Sequence, residues 1–179
     1  MAQRGAAARR YAQAVFDLAK EAGTLEQWRK DLALLKQLFG NEGVISALED
    51  PRTSQDAKHK LTEGLLGKQR VEPFAANLVR LLVERDRVHL MPRLVEAFDR
   101  MYNKEMGIVI AEVTTAVPLD PAHQSEVAKH LATLTGAKTI DLRVKVDPSI
   151  LGGIVARIGD ELIDASVATR LSELAQRIS

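Results

Sequence analysis

The chain has 179 residues, 25 Lys and Arg against 24 Asp and Glu, and no Cys. A net charge of +1 argues against binding nucleic acid through bulk charge, and the lack of thiols excludes disulfides, zinc–thiolate sites, iron–sulfur clusters and Cys nucleophiles. No apolar run approaches the ~20 residues that a membrane-spanning helix needs, so no direct transmembrane segment is expected.

Residues 1–10 are basic and Ala-rich but lack Ser and an apolar h-region, and they run straight into Asp17 and Glu21. They read as the start of a first helix, not as a targeting segment. Tyr11, Val15, Leu18 and Ala19 give that helix an apolar face, and Gly23 ends it. Thr24 can cap a second helix with the stripe Leu25, Trp28, Leu32, Leu35, Phe39, stopped by Gly40. A short segment around Val44–Leu48 follows, and Asp50-Pro51 breaks the chain. Thr53 or Ser54 can cap a helix through Leu66, closed by Gly67. Pro73 suits the first position of a helix through Arg85. A last long helix is predicted from Leu90 to Met106, with Pro92 tolerated in its first turn.

The period then changes. Seven of the ten residues in 108–117 are β-branched, which predicts a strand, and Pro118 and Pro121 flank the turn after it. Val127, Leu131 and Leu134 mark one helical face, ended by Gly136. Ile140, Leu142, Val144 and Val146 alternate with Asp141, Arg143, Lys145 and Asp147, the pattern of a half-buried strand. Gly152-Gly153 is expected to make a bend before a strand over Ile154–Ile158. Gly159-Asp160 then reads as a two-residue hairpin turn, followed by a return strand over Glu161–Asp164. Ser166 can cap a final helix with Val167, Leu171, Leu174 and Ile178 on one face. The order is β-α-β-β-β-α, a small mixed sheet with two helices.

Composition separates the two stretches. All seven aromatics precede residue 103, whereas Val, Ile and Thr number 11 in residues 1–106 and 22 in residues 107–179. The first part carries a net +3 and the second −2. A boundary near Gly107 follows.

The candidate chemistry is thin. His59, His89, His123 and His130 lack metal-ligand spacing, and no Cys completes a set. Asp160, Glu161 and Asp164 cluster, but turn formation and capping explain them more simply than acid–base catalysis. Gly152-Gly153 leads into a strand, and neither the dinucleotide fingerprint nor the P-loop occurs. No nucleophile motif surrounds any Ser. Arg4, Arg9, Arg10 and Lys58-His59-Lys60 could form a basic patch, but the aromatics fall on apolar helical faces, not among them. A protein that holds other proteins is the reading that remains, with no catalytic residue, cofactor or metal expected.

Three segments carry a resemblance. They are Arg9-Arg-Tyr-Ala-Gln-Ala-Val-Phe-Asp-Leu-Ala19 with Trp28 after it, Asn77-Leu-Val-Arg-Leu-Leu-Val-Glu-Arg-Asp-Arg87, and the run from Asp147 to Ser166. The last contains Gly152, Gly153, Gly159, Asp160, Asp164 and Ser166 in the arrangement Gly-Gly, Gly-Asp, Ile-Asp-x-Ser. The chain resembles, over essentially its whole length, the delta-subunit family of bacterial F-type ATP synthases, whose mitochondrial counterpart is the oligomycin-sensitivity-conferring protein.

The resemblance implies a two-domain stator subunit, not an enzyme. An N-terminal all-α six-helix bundle, residues 1–106, would bind the catalytic head through the N-terminal helix of an α subunit. A small C-terminal α/β domain with a mixed sheet, residues 107–179, would bind the b subunits of the peripheral stalk. The head would thereby resist rotor torque during proton-driven ATP synthesis. The protein would sit at the cytoplasmic face of the bacterial plasma membrane, as a peripheral subunit of a membrane complex. The family's helix-binding groove lies between the first and fifth helices, at positions matching Tyr11, Ala14 and Val79. A small Ala14 lets a partner backbone approach; the other reading puts all three residues in the bundle core. The alternative function is a helical adaptor or nucleic-acid-binding protein that uses the basic first helix.

Overall fold

A computed structural model describes residues 2–148, 154–158 and 161–164. The chain folds as two compact units, Met1–Tyr102 and Asn103–Ser179. The first is helical and the second is α/β.

In the first unit, α1 spans Ala2–Glu21 and buries Ala8, Ala12, Val15, Phe16 and Ala19. Leu18, expected on that buried face, is instead 59% exposed. The buried set advances by four, three, one and three residues, and Leu18 lies on the flank of that face, roughly a quarter turn round the helix. Gly23, at φ 68, ends α1. The Thr24 N–H then reaches back to the Ala19 carbonyl at 2.8 Å. That six-to-one bond makes Thr24 part of the closing turn of α1. Its φ of −113 and ψ of 22 also depart from the extended backbone of a cap, and its side chain makes no capping bond, contrary to expectation.

Helix α2, Leu25–Phe39, buries Leu25, Trp28, Leu32, Leu35 and Phe39, the stripe its spacing predicts. Helix α3, Glu42–Glu49, starts at Asn41, whose side chain accepts from the Gly43 N–H at 2.8 Å. Helix α4, Gln55–Leu66, is capped by Ser54 and not Thr53; its Oγ accepts from the Ala57 N–H at 3.3 Å. Helix α5, Pro73–Glu84, begins with Pro at its first position. Asp86 follows at φ 50, a left-handed conformation that Asp tolerates better than most residues. A single 3₁₀ turn, Val88–Leu90, leads into α6, Met91–Met106.

Phe39, Phe98, Leu32, Leu35, Leu82 and Leu94 are each fully buried in this unit. Phe16 meets Phe98 edge to face, with ring centroids 5.8 Å apart. Such a pair adds about 0.5–1.5 kcal/mol beyond the area it buries.

In the second unit, β1 spans Ile108–Thr115. Thr115 Oγ1 donates to the Val117 carbonyl at 2.8 Å, so the chain turns before the expected end of the strand. Helix α7, Pro121–Thr135, is capped by Asp120 and ends at Gly136, at φ 67. Strands β2, Thr139–Val146, β3, Ile154–Ile158, and β4, Glu161–Asp164, complete a mixed sheet of order β2-β1-β3-β4. β1 and β2 are parallel; β3 is antiparallel to both β1 and β4. Ala111, Val113, Leu131 and Ala156 form the buried centre. Val127, Ile140, Leu142, Ile154 and Ile158 around it are only partly covered. The Gly152-Gly153 bend, the Gly159-Asp160 turn and the final helix expected from Ser166 lie outside the described residues.

Candidate partner-binding surfaces

Helix α1 has a second apolar line. Ala7, Tyr11, Ala14, Leu18 and Ala22 recur at spacings of four, three, four and four. Ala14, Leu18 and Ala22 are exposed, and Ala7 and Tyr11 are half-buried. A globular helix needs one apolar face; this one has two, and the second is uncovered.

Beside that line the unit carries a groove of about 380 Å³, lined by Leu18, Ala22, Thr24, Gln27, Trp28, Glu72 and Phe74. It lies where the end of α1, the start of α2 and the start of α5 meet. Phe74 is 74% exposed, and Leu81 further along α5 is 39% exposed. Phe74 and Leu18 leave large apolar side chains open to water around Trp28. Asp31 holds the groove's wall in place. Its carboxylate is buried, accepting from Gln27 Nε2 at 3.0 Å and from the Glu72 N–H at 3.4 Å. The start of α5, and with it Phe74, is thereby tied to α2.

The three expected groove residues fall in different environments. Ala14 is exposed, one turn before Leu18. Tyr11 is half-buried, and its hydroxyl accepts from Arg87 Nη1 at 3.0 Å, tying α1 to the turn after α5. Val79 is fully buried in the core. None of the three lines the groove itself. Sequence reasoning placed Leu18 and Trp28 on apolar helix faces and did not single out Ala22 or Phe74, so it missed the groove they line. The signal was available in two places: a second heptad-like apolar spacing on the first helix, and an aromatic directly after Pro73, where a helix start is open to solvent.

Several charges around these helices are paired. Lys58, read from sequence as part of a basic patch, is buried and bonds Asp86 at 2.7 Å, so Lys58-His59-Lys60 is not one continuous exposed surface. Glu26 accepts from the Tyr102 hydroxyl. That bond, aided by Lys30 and Arg29, holds the Glu26 carboxyl below its usual value; the same bond, aided by burial and against the pull of Arg29, holds the Tyr102 phenol above its own. Arg29 stacks over the Tyr102 ring at 4.7 Å and approaches Asp99 at 3.5 Å, a clamp between α2 and α6. Arg80 bridges α5 to α4 through Glu63 at 2.7 Å, and this bond lowers the Glu63 pKa.

The second unit offers two surfaces. One is an apolar groove of about 300 Å³ between α7 and β3, lined by Glu126, Val127, His130, Leu131, Leu134, Ile154 and Ala156. Leu134, expected to be buried, is 57% exposed there. The other is a depression of about 390 Å³ over Ile110, Glu112, Arg143 and Arg157. The register sets Glu112 opposite Arg143 on one neighbour and Arg157 on the other, a charged row across three strands. Asp120 caps α7, accepting from the N–H of His123 and meeting its ring Nδ1, each at 2.8 Å. Those bonds lower the Asp120 pKa.

Of the expected signature residues, Gly152, Gly153, Gly159, Asp160 and Ser166 lie outside the described residues. Asp164 ends β4, paired with Val155. Among the described residues no group of three or more His, Asp and Glu side chains is arranged to hold a metal ion, and no helix is long and apolar enough to cross a membrane.

A model of the family described as "ATP synthase delta (OSCP) subunit" matches residues 7–178. A protein of Anaeromyxobacter named ATP synthase subunit delta is 37% identical over 175 residues, covering 97% of this chain and 97% of its own. One of Beijerinckia indica with the same name is 33% identical over 170 residues, covering 94% and 90%. A spinach protein named ATP synthase delta chain, chloroplastic, is 32% identical, covering 96% of this chain and 68% of its own. Among solved structures, a chain of the Toxoplasma gondii mitochondrial ATP synthase hexamer superposes with a TM-score of 0.67 at 25% identity, covering 96% of each chain.

Proposed function

The chain belongs to the ATP synthase delta (OSCP) subunit family, and from that premise we propose how its two units divide the work. Members are non-catalytic components of the peripheral stalk of F-type ATP synthase, and this chain is one: a peripheral subunit of a membrane-bound complex. The finer assignment is ours. The first unit receives the N-terminal helix of an α subunit, and the second unit is held by the b subunits of the stalk, on the cytoplasmic face of a bacterial membrane.

One observation carries the first half. The uncovered apolar line Ala14, Leu18, Ala22 runs beside a groove floored by Trp28 and walled by Phe74. A docked amphipathic helix needs an apolar trough of that kind, with small residues where the two backbones come closest. Fully burying side chains such as Leu18 and Phe74 is worth about 1.5–3 kcal/mol each. Mechanically, a stator link must hold at both ends at once. A rigid bundle that grips the head and a second unit gripped by the stalk place two protein contacts in series, with no chemistry between them.

Trp28 is the sole Trp and lines the groove, which makes it the natural reporter. Titrating the full chain with a peptide of the α-subunit N-terminal helix should change Trp28 emission saturably. A flat titration, with no heat evolved by calorimetry, would remove the groove assignment. Affinity capture of the tagged chain from membranes should recover α and b together; loss of b alone would reject the role given to the second unit.

A further inference from the structure

The turn after α5 carries an aspartate where glycine would fit more easily. Helix α5 closes with the Asp86 N–H on the Val83 carbonyl at 3.1 Å and the Arg87 N–H on the Leu82 carbonyl at 2.8 Å. That pair of bonds sets Asp86 at φ 50. Helix α1 ends on Gly23, α6 on Gly107 and α7 on Gly136, all at positive φ. Glycine takes that conformation without strain. Among the described residues Asp86 is the one non-glycine at positive φ. A side chain kept in such a place calls for a reason of its own.

The reason lies on α4. Lys58 Nζ donates to Asp86 Oδ1 at 2.7 Å, and the Lys58 side chain is only 4% exposed. Among the described residues no other carboxylate stands within 4 Å of that ammonium. A buried ammonium without its partner is costly, so Lys58 needs the Asp86 side chain. Yet a well-packed apolar residue in place of Lys58 would serve stability as well, so stability alone does not account for the pair.

The turn in turn holds other helices. Arg87 Nη1 donates to the Tyr11 hydroxyl of α1 at 3.0 Å. The His89 N–H donates to Glu49 of α3 at 2.8 Å, and the His89 ring Nδ1 meets the same carboxylate at 2.9 Å. Residues 86, 87 and 89 thus reach α4, α1 and α3. Helix α1 packs on α2 and on the 3₁₀ turn that follows at once. Tyr11 lies on the same line of α1 as Ala14, Leu18 and Ala22. The place of the turn therefore decides the place of that line.

We propose that Lys58 and Asp86 are positioning residues for the partner face of α1. The buried ammonium fixes Asp86 in the left-handed turn, the turn aims Arg87 at Tyr11, and Tyr11 holds α1 where a helix can dock. The binding part of this rests on the reading of that face as the α-subunit site.

Lys58→Met combined with Asp86→Gly keeps the net charge, fills the space of the buried stem and lets the turn form without strain. Its unfolding midpoint should stay at or above that of wild type. Its Kd for a peptide of the α-subunit N-terminal helix should rise about tenfold, because α1 loses its fixed place and binding must restore it. Unchanged affinity in the stable double variant overturns the proposal. Asp86→Asn tolerates the left-handed turn and keeps an acceptor for Lys58, so it should bind within about twofold of wild type. A loss as large as that of the double variant would trace the effect to the charge of Asp86 itself and overturn the proposal as well. A second readout needs no partner. Tyr11→Phe removes only the hydroxyl at the far end of these contacts. Amide exchange of α1 around residue 11 should speed up about threefold in Tyr11→Phe and about tenfold in the double variant, with α2 unchanged. Unchanged exchange of α1 in Tyr11→Phe overturns the proposal, whether or not the double variant folds. If wild type itself gives no saturable response to the peptide, the groove reading fails, and the exchange rates alone decide whether Lys58 and Asp86 position α1.

Discussion

The two units solve opposite problems. The helical unit closes its core with large side chains. Phe39, Phe98, Leu32, Leu35, Leu82 and Leu94 are fully buried, and apolar surface is left over on α1 and α5. The α/β unit has a core of Ala111, Val113, Leu131 and Ala156, three of them small, ringed by half-covered Ile and Leu. Exposed apolar surface therefore has a different meaning in each. On the helical unit it is surplus after the fold is complete, which suits it to a partner. On the α/β unit, among the described residues, it borders a core of mostly small side chains.

The sharpest way to break this comparison is to cut both cores. Phe98→Ala removes a fully buried ring that packs edge to face on Phe16, and should cost about 3–5 kcal/mol in urea unfolding of the full chain. Leu131→Ala in the α/β unit should fall at the low end of its class, near 2 kcal/mol, because the groove beside it lets the cavity join solvent instead of staying empty. Equal costs would mean that the smaller core is as tightly closed as the larger.

Next in size are effects on binding with the fold left intact. Ala14 is exposed, so Ala14→Asp should leave the unfolding midpoint unchanged while weakening α-peptide binding by more than about 2 kcal/mol, because an unpaired carboxylate is desolvated at the contact. Equal peptide affinities for mutant and wild type would reject the α1 face. Phe74→Ala trims a side chain that is 74% exposed in the free protein, and should weaken the same complex by about 1–2 kcal/mol without loss of stability. If Phe74→Ala destabilises the fold instead, the surplus is part of the core after all, and the contrast between the units is lost.

Much of this was legible in the sequence, for reasons that particular residues make plain. The stripe of α2 and the alternation of β2 are strong single-period patterns, and both fold as they read. The boundary is visible because aromatics and β-branched residues serve different packing surfaces. Leu18 was misread because α1 is apolar on two faces, and one sequence periodicity cannot say which face meets the core. Val79 was left open between groove and core. The spacing of α5 allowed it either surface, and only the packing of its neighbours puts it inside. The capping role of Thr24 was lost because Gly23 turned the chain back onto α1, a tertiary detail of the closing turn. The groove joins residues from α1, α2 and α5, and no local window contains all of them.

The smallest expected effect concerns pH and the clamp between α2 and α6. The Tyr102 hydroxyl donates to Glu26, which lowers the Glu26 pKa below 4.5 and raises that of Tyr102 above 10.0. A lowered carboxyl pKa means that the folded state holds the charged form. Its contribution is present above 4.5 and is lost as pH falls through the folded value. The raised phenol gives the other edge: its contribution is present below 10.0 and is lost as pH rises through the folded value. One bond thus supports the helical unit across a window with an acid and an alkaline limit. Glu26→Gln should narrow the stability gap between pH 7 and pH 3 slightly, since Glu26 is exposed and solvent screens its charge. In the α/β unit Asp120 has an acid edge of the same sign, because its lowered pKa comes from the N–H and ring of His123. Among the described residues Glu26, Asp50 and Glu63 are lowered in the helical unit against Asp120 alone in the other. Amide exchange followed from pH 7 down to pH 3, corrected for intrinsic rates, should therefore show protection falling first in α2, α4 and α5. Earlier loss in α7 would reverse the ranking of the two units and assign the acid-sensitive contacts to the α/β side.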